Sequence, residues 1–386
     1  MGVGSPDLTP PTILPKGRCM IRMRRRVAGA GLVLAMLVAG CGPSATQSET
    51  SPHSVAPTTS PSPTHSATPS TAAPRLPDPR NLRGLTEVPD LSDPKPVDGS
   101  FGQKLPVTVT DVENNTVTVT DTSRILALDL YGTLSRTLIG LGMGDKIVGR
   151  TVSSTEKQLH DLPVVTENGH TLNVEAIAAL KPTLIIADRS VGPRESLDQL
   201  RKSGIPVVLV NPHRSVDKTA DLIRTVAKAV GKPAAGEALV KRARDEIDAA
   251  KEEITQWAPK TPMKIAFLYV RGTAGIFFIL GSQDGASELI HGVGGDDVAG
   301  DKGIKSVAPA NAESLVTLNP DAIFVMKNGL TSTGGMKGLL ARAGVANTTA
   351  GRNHRVIAIP DGISLSFGPQ TGEVLTSVAK ALYGVK

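Results

Sequence analysis

The chain has 386 residues, 40% hydrophobic and 20% charged, which suits a sizeable apolar core and exceeds one ordinary domain. The net charge of +6 is unevenly placed: residues 1–40 hold Lys16, Arg18, Arg22, Arg24, Arg25 and Arg26 against Asp7 alone, leaving the remainder at +1. That excludes reading the basic balance as a nucleic-acid footprint, and two cysteines, Cys19 and Cys41, exclude a disulfide framework or a cysteine-rich zinc site.

The first element reads as an address. Arg22-Met-Arg-Arg-Arg26 precedes an apolar run over 27–39, and the run ends in Val38-Ala-Gly-Cys41. A charged start, a short apolar stretch and small residues before a cleavage point describe a secretory signal, too short for a stable membrane span. Prolines and Asp7 do not suit a signal start, so translation is expected from Met20 or Met23. A cysteine directly after Ala-Gly resembles the bacterial lipoprotein box. That resemblance implies cleavage before Cys41 and a diacylglyceryl group on its thiol. The expectation is a signal peptide over 1–40 and an extracytoplasmic protein anchored to the cell membrane by lipid.

Residues 41–100 are dominated by Ser, Thr and Pro. Such a composition cannot bury enough apolar surface to offset its ordering entropy, so the segment reads as a disordered linker. As a partly stiffened coil it could hold the folded part about 40 Å from the membrane. His53 and His65 fall within it, outside any expected site.

The folded part divides into a first lobe over 101–231, a connecting helix over 232–258 and a second lobe over 259–386. A hairpin is expected from strands over 107–110 and 117–120 around Glu113-Asn-Asn115. Strands over 125–130, 146–149, 184–187 and 207–210 then alternate with amphipathic helices. The connecting helix opens on Pro233, a residue suited to a first turn. Leu239, Ala243, Ile247, Ala250, Ile254 and Trp257 recur along it at helical spacing. Second-lobe strands are expected over 264–269, 276–280, 322–326 and 355–359. The lobes share a unit: Asn173, Glu175, Leu180, Pro182 and Ile185 recur at an offset of 138 as Asn311, Glu313, Leu318, Pro320 and Ile323. The fold class is α/β. Two similar lobes with parallel-rich sheets and flanking helices are joined by one long rigid helix, with a ligand cleft between them at the carboxyl ends of the strands.

No Gly-x-Ser-x-Gly, Walker loop or His-Glu-x-x-His occurs. Gly140-Leu-Gly142-Met-Gly144 meets Asp145 where a dinucleotide fingerprint needs its third glycine, so no enzyme is expected. Candidate ligand residues are few. Tyr269 and Arg271 are two apart on one strand and so share a face. A guanidinium beside a phenol favours the phenolate, a hard ligand suited to ferric iron. On spacing alone the alternative stays open that Tyr269 caps a core strand and Arg271 pairs with a surface acid.

His170, in the polar loop Thr166-Glu-Asn-Gly-His170, is either an accessible metal ligand or simply solvated. Ile276, Phe277 and Phe278 lie near the second ligand, and alternation leaves open which of them face the cleft. Met326 and Phe367 read as core, Tyr131 as helix packing and His213 as a second-tier candidate at another strand end. His160, His291 and His354 have no supporting context. Glu175 and Glu313 hold equivalent first-turn positions, where an acid gains about 0.3–1 kcal/mol from the helix dipole.

From Leu105 to Tyr383 the chain resembles the helix-linked, cluster-A-like substrate-binding proteins of metal-chelate ABC importers, which bind ferric siderophores, cobalamin or heme. Asn168-Gly-His170-x-Leu-Asn173 and Tyr269-x-Arg271-Gly272 narrow this further. With Ala127-Leu-Asp-Leu-Tyr-Gly-Thr-Leu-Ser135, Asn211-x-His213-Arg214 and Leu365-Ser-Phe-Gly-Pro369, they resemble the HmuT-type hemin-binding lipoproteins. The resemblance implies that His170 and Tyr269 ligate the iron of ferric heme b, the transported ligand, from opposite lobes and that Arg271 supports the tyrosine. It further implies a monomer that docks through Glu175 and Glu313 on an ABC permease dimer with its ATPase. A ferric-siderophore or cobalamin receptor of the same fold, and a surface heme-storing or relay protein without a permease, are the alternatives.

Overall fold

The computed structural model describes residues 76–386 apart from Ala274 and Asp284; the expected signal peptide, Cys41 and linker residues 41–75 lie outside the described residues. The first lobe carries a four-stranded, all-parallel sheet in the order Ile147–Gly149, Ile125–Leu128, Leu184–Ala187, Val207–Leu209. These strands are continuous apolar runs rather than alternating ones, because helices cover both faces. Ile125, Ala127, Ile186 and Val208 pack with Leu134, Leu138, Ile223 and Val226 on one side. Leu126, Leu128, Ile185 and Leu209 pack with Ile177, Leu197 and Leu200 on the other. The hairpin Val107–Thr110 with Thr116–Val119 adds Val109, Val117 and Val119 to the first of these clusters.

The second lobe carries a larger sheet in the order Leu85–Glu87, Val356–Ile359, Ala322–Met326, Lys264–Arg271, Ile276–Ile279, Ala308–Pro309. Its first four strands are parallel and its last two run antiparallel to their neighbours. The short strand Asp296–Asp297 also pairs with Lys264–Arg271. The unit repeated in the sequence is a repeat in space. The helices Val174–Ala179 and Ala312–Leu318 are capped by Asn173 and Asn311, whose side chains accept from Ala176 N and Ser314 N. Each turn toward the following strand uses a left-handed residue at the equivalent position, Lys181 and Asn319.

The helix Pro233–Trp257 joins the lobes and belongs to both cores. Leu239, Val240 and Ala243 lie in the first lobe's cluster, while Ala250 and Ile254 lie in the second's. Truncating a buried leucine such as Leu239 costs about 2–5 kcal/mol, so each half of the helix is fixed by its own lobe. Residues 76–100 correct the expected boundary. Leu85–Glu87 is an edge strand of the second sheet, and Val88 is fully buried in that lobe's core. The segment then crosses to the first lobe, where Asp93 accepts from Lys157 N and Gln158 N and Val97 N donates to Gly140 O. A three-residue strand within a Pro- and Asp-rich stretch carries no periodicity of its own; its partner, Val356–Ile359, lies near the other end of the chain.

The carboxyl ends of the two sheets face one another. Gly132, after Ile125–Leu128, and Thr155, beyond Ile147–Gly149, lie against Gly362, which follows Val356–Ile359. A Cβ on Gly362 would overlap the Thr155 side chain, so glycine allows the close approach of the lobes there. Among the described residues no helix is long and apolar enough to cross a membrane.

Candidate functional site

Tyr269 and Arg271 lie at the carboxyl end of Lys264–Arg271, which runs two residues beyond its expected end. The antiparallel register sets Tyr269 opposite Phe278 and Arg271 opposite Ile276. Directly opposed residues share a face, so these four form one surface and Phe277 turns to the other side. Burial agrees with this: Phe277 is buried in the core behind the sheet, Phe278 is half-buried and Ile276 is 43% exposed. Ile276 and Phe278 therefore share the Tyr269 face, and Phe277 does not.

The Arg271 guanidinium carbon stands 4.9 Å from the centroid of the Tyr269 ring. Its Nη2 donates to Asp361 Oδ1 at 2.6 Å and approaches Met326 Sδ at 3.4 Å. The second oxygen of Asp361 accepts from Asn328 N at 2.9 Å. The arginine is thus stacked on the ring and paired with an acid at once. Arg271 therefore meets the tyrosine and a carboxylate together. The Tyr269 hydroxyl itself makes no hydrogen bond among the described residues. Asp361 was not a sequence candidate, since it lies 90 residues from the arginine it meets.

His170 lies on the other lobe, in the three-residue connection between the strands Thr166–Glu167 and Thr171–Leu172. Asn168 and Gly169 both take positive φ there, which lets so short a connection reverse the chain. The loop is pinned to the segment following Leu184–Ala187, where His170 O accepts from Gly192 N and Leu172 N donates to Gly192 O. The backbone is therefore held while the imidazole is exposed. Its position beside the loops after two first-lobe strands puts it at that sheet's carboxyl end, as Tyr269 and Arg271 are in the second lobe.

A second cluster sits at the first lobe's strand ends. Asp129, Asp188 and Arg214 are buried together, with Arg214 Nη2 bonded to Asp188 and 3.5 Å from Asp129 Oδ2. Burial pushes the Asp188 carboxyl up to about 6 and raises Asp129 as well, against the attraction of Arg214. The Arg214 guanidinium carbon lies 5.5 Å from the centroid of the Tyr131 ring. Tyr131 packs on the core of the second lobe, so this cluster lies beneath the contact between lobes.

Glu175 and Glu313 are exposed in the first turns of their equivalent helices, and neither has an ion-pair partner among the described residues. His213 is exposed, His160 pairs with Asp161 on the surface, and Phe367 is buried core. A hollow of about 310 Å³ beside the linking helix, lined by Val216, Val240, Arg244, Ile247 and Lys251 among others, contains neither His170 nor Tyr269.

Two helix-bridged lobes with facing strand ends define a binding protein with an interlobe cleft. The chain belongs to the periplasmic binding protein family, whose profile matches residues 130–362. A solved structure of the heme binding protein HmuT is 52% identical, covers 80% of this chain and 100% of its own, and superposes with a TM-score of 0.79. Solved variants of that protein replace a histidine, a tyrosine or an arginine by alanine. The periplasmic heme-binding protein RhuT of Roseiflexus sp. RS-1 is 35% identical over 68% of this chain and 99% of its own, with a TM-score of 0.64. An uncharacterized ABC transporter substrate-binding lipoprotein, YvrC of Bacillus subtilis (strain 168), is 26% identical over 72% of this chain and 86% of its own.

Proposed function

We propose that this chain is an extracytoplasmic, lipid-anchored heme-binding protein that captures ferric heme and delivers it to an ABC permease for iron acquisition. His170 and Tyr269 would ligate the iron from opposite lobes, Arg271 would stabilise the phenolate, and Ile276 and Phe278 would contact the porphyrin face. The observation that carries the reading is the stacked Tyr269–Arg271 pair beside an apolar surface at the second lobe's strand ends, with an exposed, backbone-anchored histidine at those of the first. The histidine, tyrosine and arginine replaced in the HmuT variants are separated by 99 and 2 residues, the same separations as His170, Tyr269 and Arg271 here. This supports carrying the ligand set over by position. Glu175 and Glu313, one on each lobe and exposed without an ion-pair partner among the described residues, are suited to meeting basic residues of a two-subunit permease.

The test is a visible-absorption titration with hemin of the wild type, Tyr269→Ala and His170→Ala. A saturable Soret shift at one equivalent, altered by each substitution, is expected. A wild type without a saturable shift would overturn the reading and turn attention to ferric siderophores and cobalamin.

A further inference from the structure

Arg271 is held by more than its stacking on Tyr269. Its Nη1 occupies space above Gly329 that a Cβ there would contest at 2.5 Å, and its Nη2 meets both Met326 Sδ and Asp361. Asp361 is fixed from elsewhere in turn. Asn328 N donates to its second carboxylate oxygen, Ser364 Oγ donates to its carbonyl, and the next residue, Gly362, is wedged against Thr155 of the opposite lobe. The direction of control follows. The carboxylate is set by the loop and the lobe contact, and its charge in turn acts on the arginine. The side chains of the pair are 29% and 17% exposed, so solvent screens their charges only in part.

We propose that Asp361 acts through Arg271, partly neutralising the guanidinium that lies on the Tyr269 ring, so that the anionic tyrosine ligand is supported without being held too strongly for release. This rests on the proposed ligation of heme by Tyr269. Without the carboxylate, the seat over Gly329, the Met326 sulfur and the ring still retain the guanidinium, whose charge then acts uncompensated on the ligated phenolate. Groups that tune a metal ligand from the next layer typically change metal affinity by about 10–100-fold. Asp361→Asn is therefore expected to slow hemin loss by about tenfold.

The experiment follows hemin transfer from the loaded protein to excess apomyoglobin for the wild type, Asp361→Asn, Asp361→Glu, Arg271→Ala and the double variant Asp361→Asn with Arg271→Ala. The expected pattern is slower loss in Asp361→Asn, a rate close to wild type in Asp361→Glu, and no effect of Asp361→Asn once Arg271 is gone. The phenolate-to-iron charge-transfer band should move to higher energy in Asp361→Asn alone. An unchanged or faster rate in Asp361→Asn, or an effect of full size in the Arg271→Ala background, would overturn the proposal. Should Asp361→Asn not fold, a rate in Asp361→Glu as fast as in Arg271→Ala would overturn it too. A wild type that takes up no hemin in a saturable way marks instead the failure of the functional reading beneath it.

Discussion

Each lobe places an arginine over a tyrosine at its strand ends and pairs that arginine with aspartate, yet the two sets sit in opposite environments. Arg214 over Tyr131 is sealed between lobes, with both Asp129 and Asp188 fully buried against it. Arg271 over Tyr269 stays partly open, with Asp361 as its one ion-pair partner among the described residues. A buried guanidinium between two carboxylates has its charge fully claimed, and any loss leaves an uncompensated ion in a low-dielectric site. A partly exposed pair can be reached by a ligand and costs less to disturb than a sealed one. The same geometry is therefore closed off within the fold in one lobe and left open to a ligand in the other.

Stability gives the largest contrast. Arg214→Leu strands two buried carboxylates and is expected to cost about 3–5 kcal/mol, whereas Arg271→Leu should cost about 1 kcal/mol or less. Urea denaturation of both variants checks this; equal losses would break the distinction between the two sets. Hemin affinity should sort them the other way. Arg271→Leu is expected to weaken binding by about 10–100-fold, and Asp188→Asn should leave it unchanged, as read by Soret titration.

The buried set also predicts a pH dependence. Asp188 has a folded-state value of about 6, raised by burial above the usual aspartate value of about 3.9. Between these values the folded state binds more protons than the unfolded one. The stability contributed by protonated Asp188 is thus complete below the unfolded value and is lost as pH rises through about 6. Asp188→Asn should flatten the decline seen in denaturation midpoints between mildly acidic and neutral pH. The smallest effect on the fold belongs to the exposed acids. Glu175→Gln with Glu313→Gln should change stability by no more than about 1 kcal/mol per site and leave hemin binding intact. Cellular hemin uptake by that variant should fall, and unaltered uptake would remove the docking role.

Local periodicity explains what was legible in the sequence. The connecting helix was readable from Pro233 to Trp257 because its apolar stripe and first-turn proline are encoded within one segment. The paired lobes were visible because Asn173 and Asn311 cap matching helices before matching strands. Tyr269 and Arg271 could be placed together because two residues on a strand share a face. What stayed hidden depends on partners distant in the chain. Asp361 reaches Arg271 across 90 residues, and Arg214 draws in Asp129 from 85 residues away. The edge strand Leu85–Glu87 takes its pairing from Val356–Ile359. The facing of Ile276 and Phe278 needed the register with Tyr269, which alternation within an all-apolar run cannot supply.

The central claim is that one ferric heme is held by Tyr269 from the second lobe and His170 from the first. Resonance Raman spectroscopy of the hemin complex addresses it directly. Vibrations of an iron-bound phenolate should be present in the wild type and in His170→Ala, and absent from Tyr269→Phe. A wild-type complex without phenolate modes, or modes that survive in Tyr269→Phe, would contradict the account.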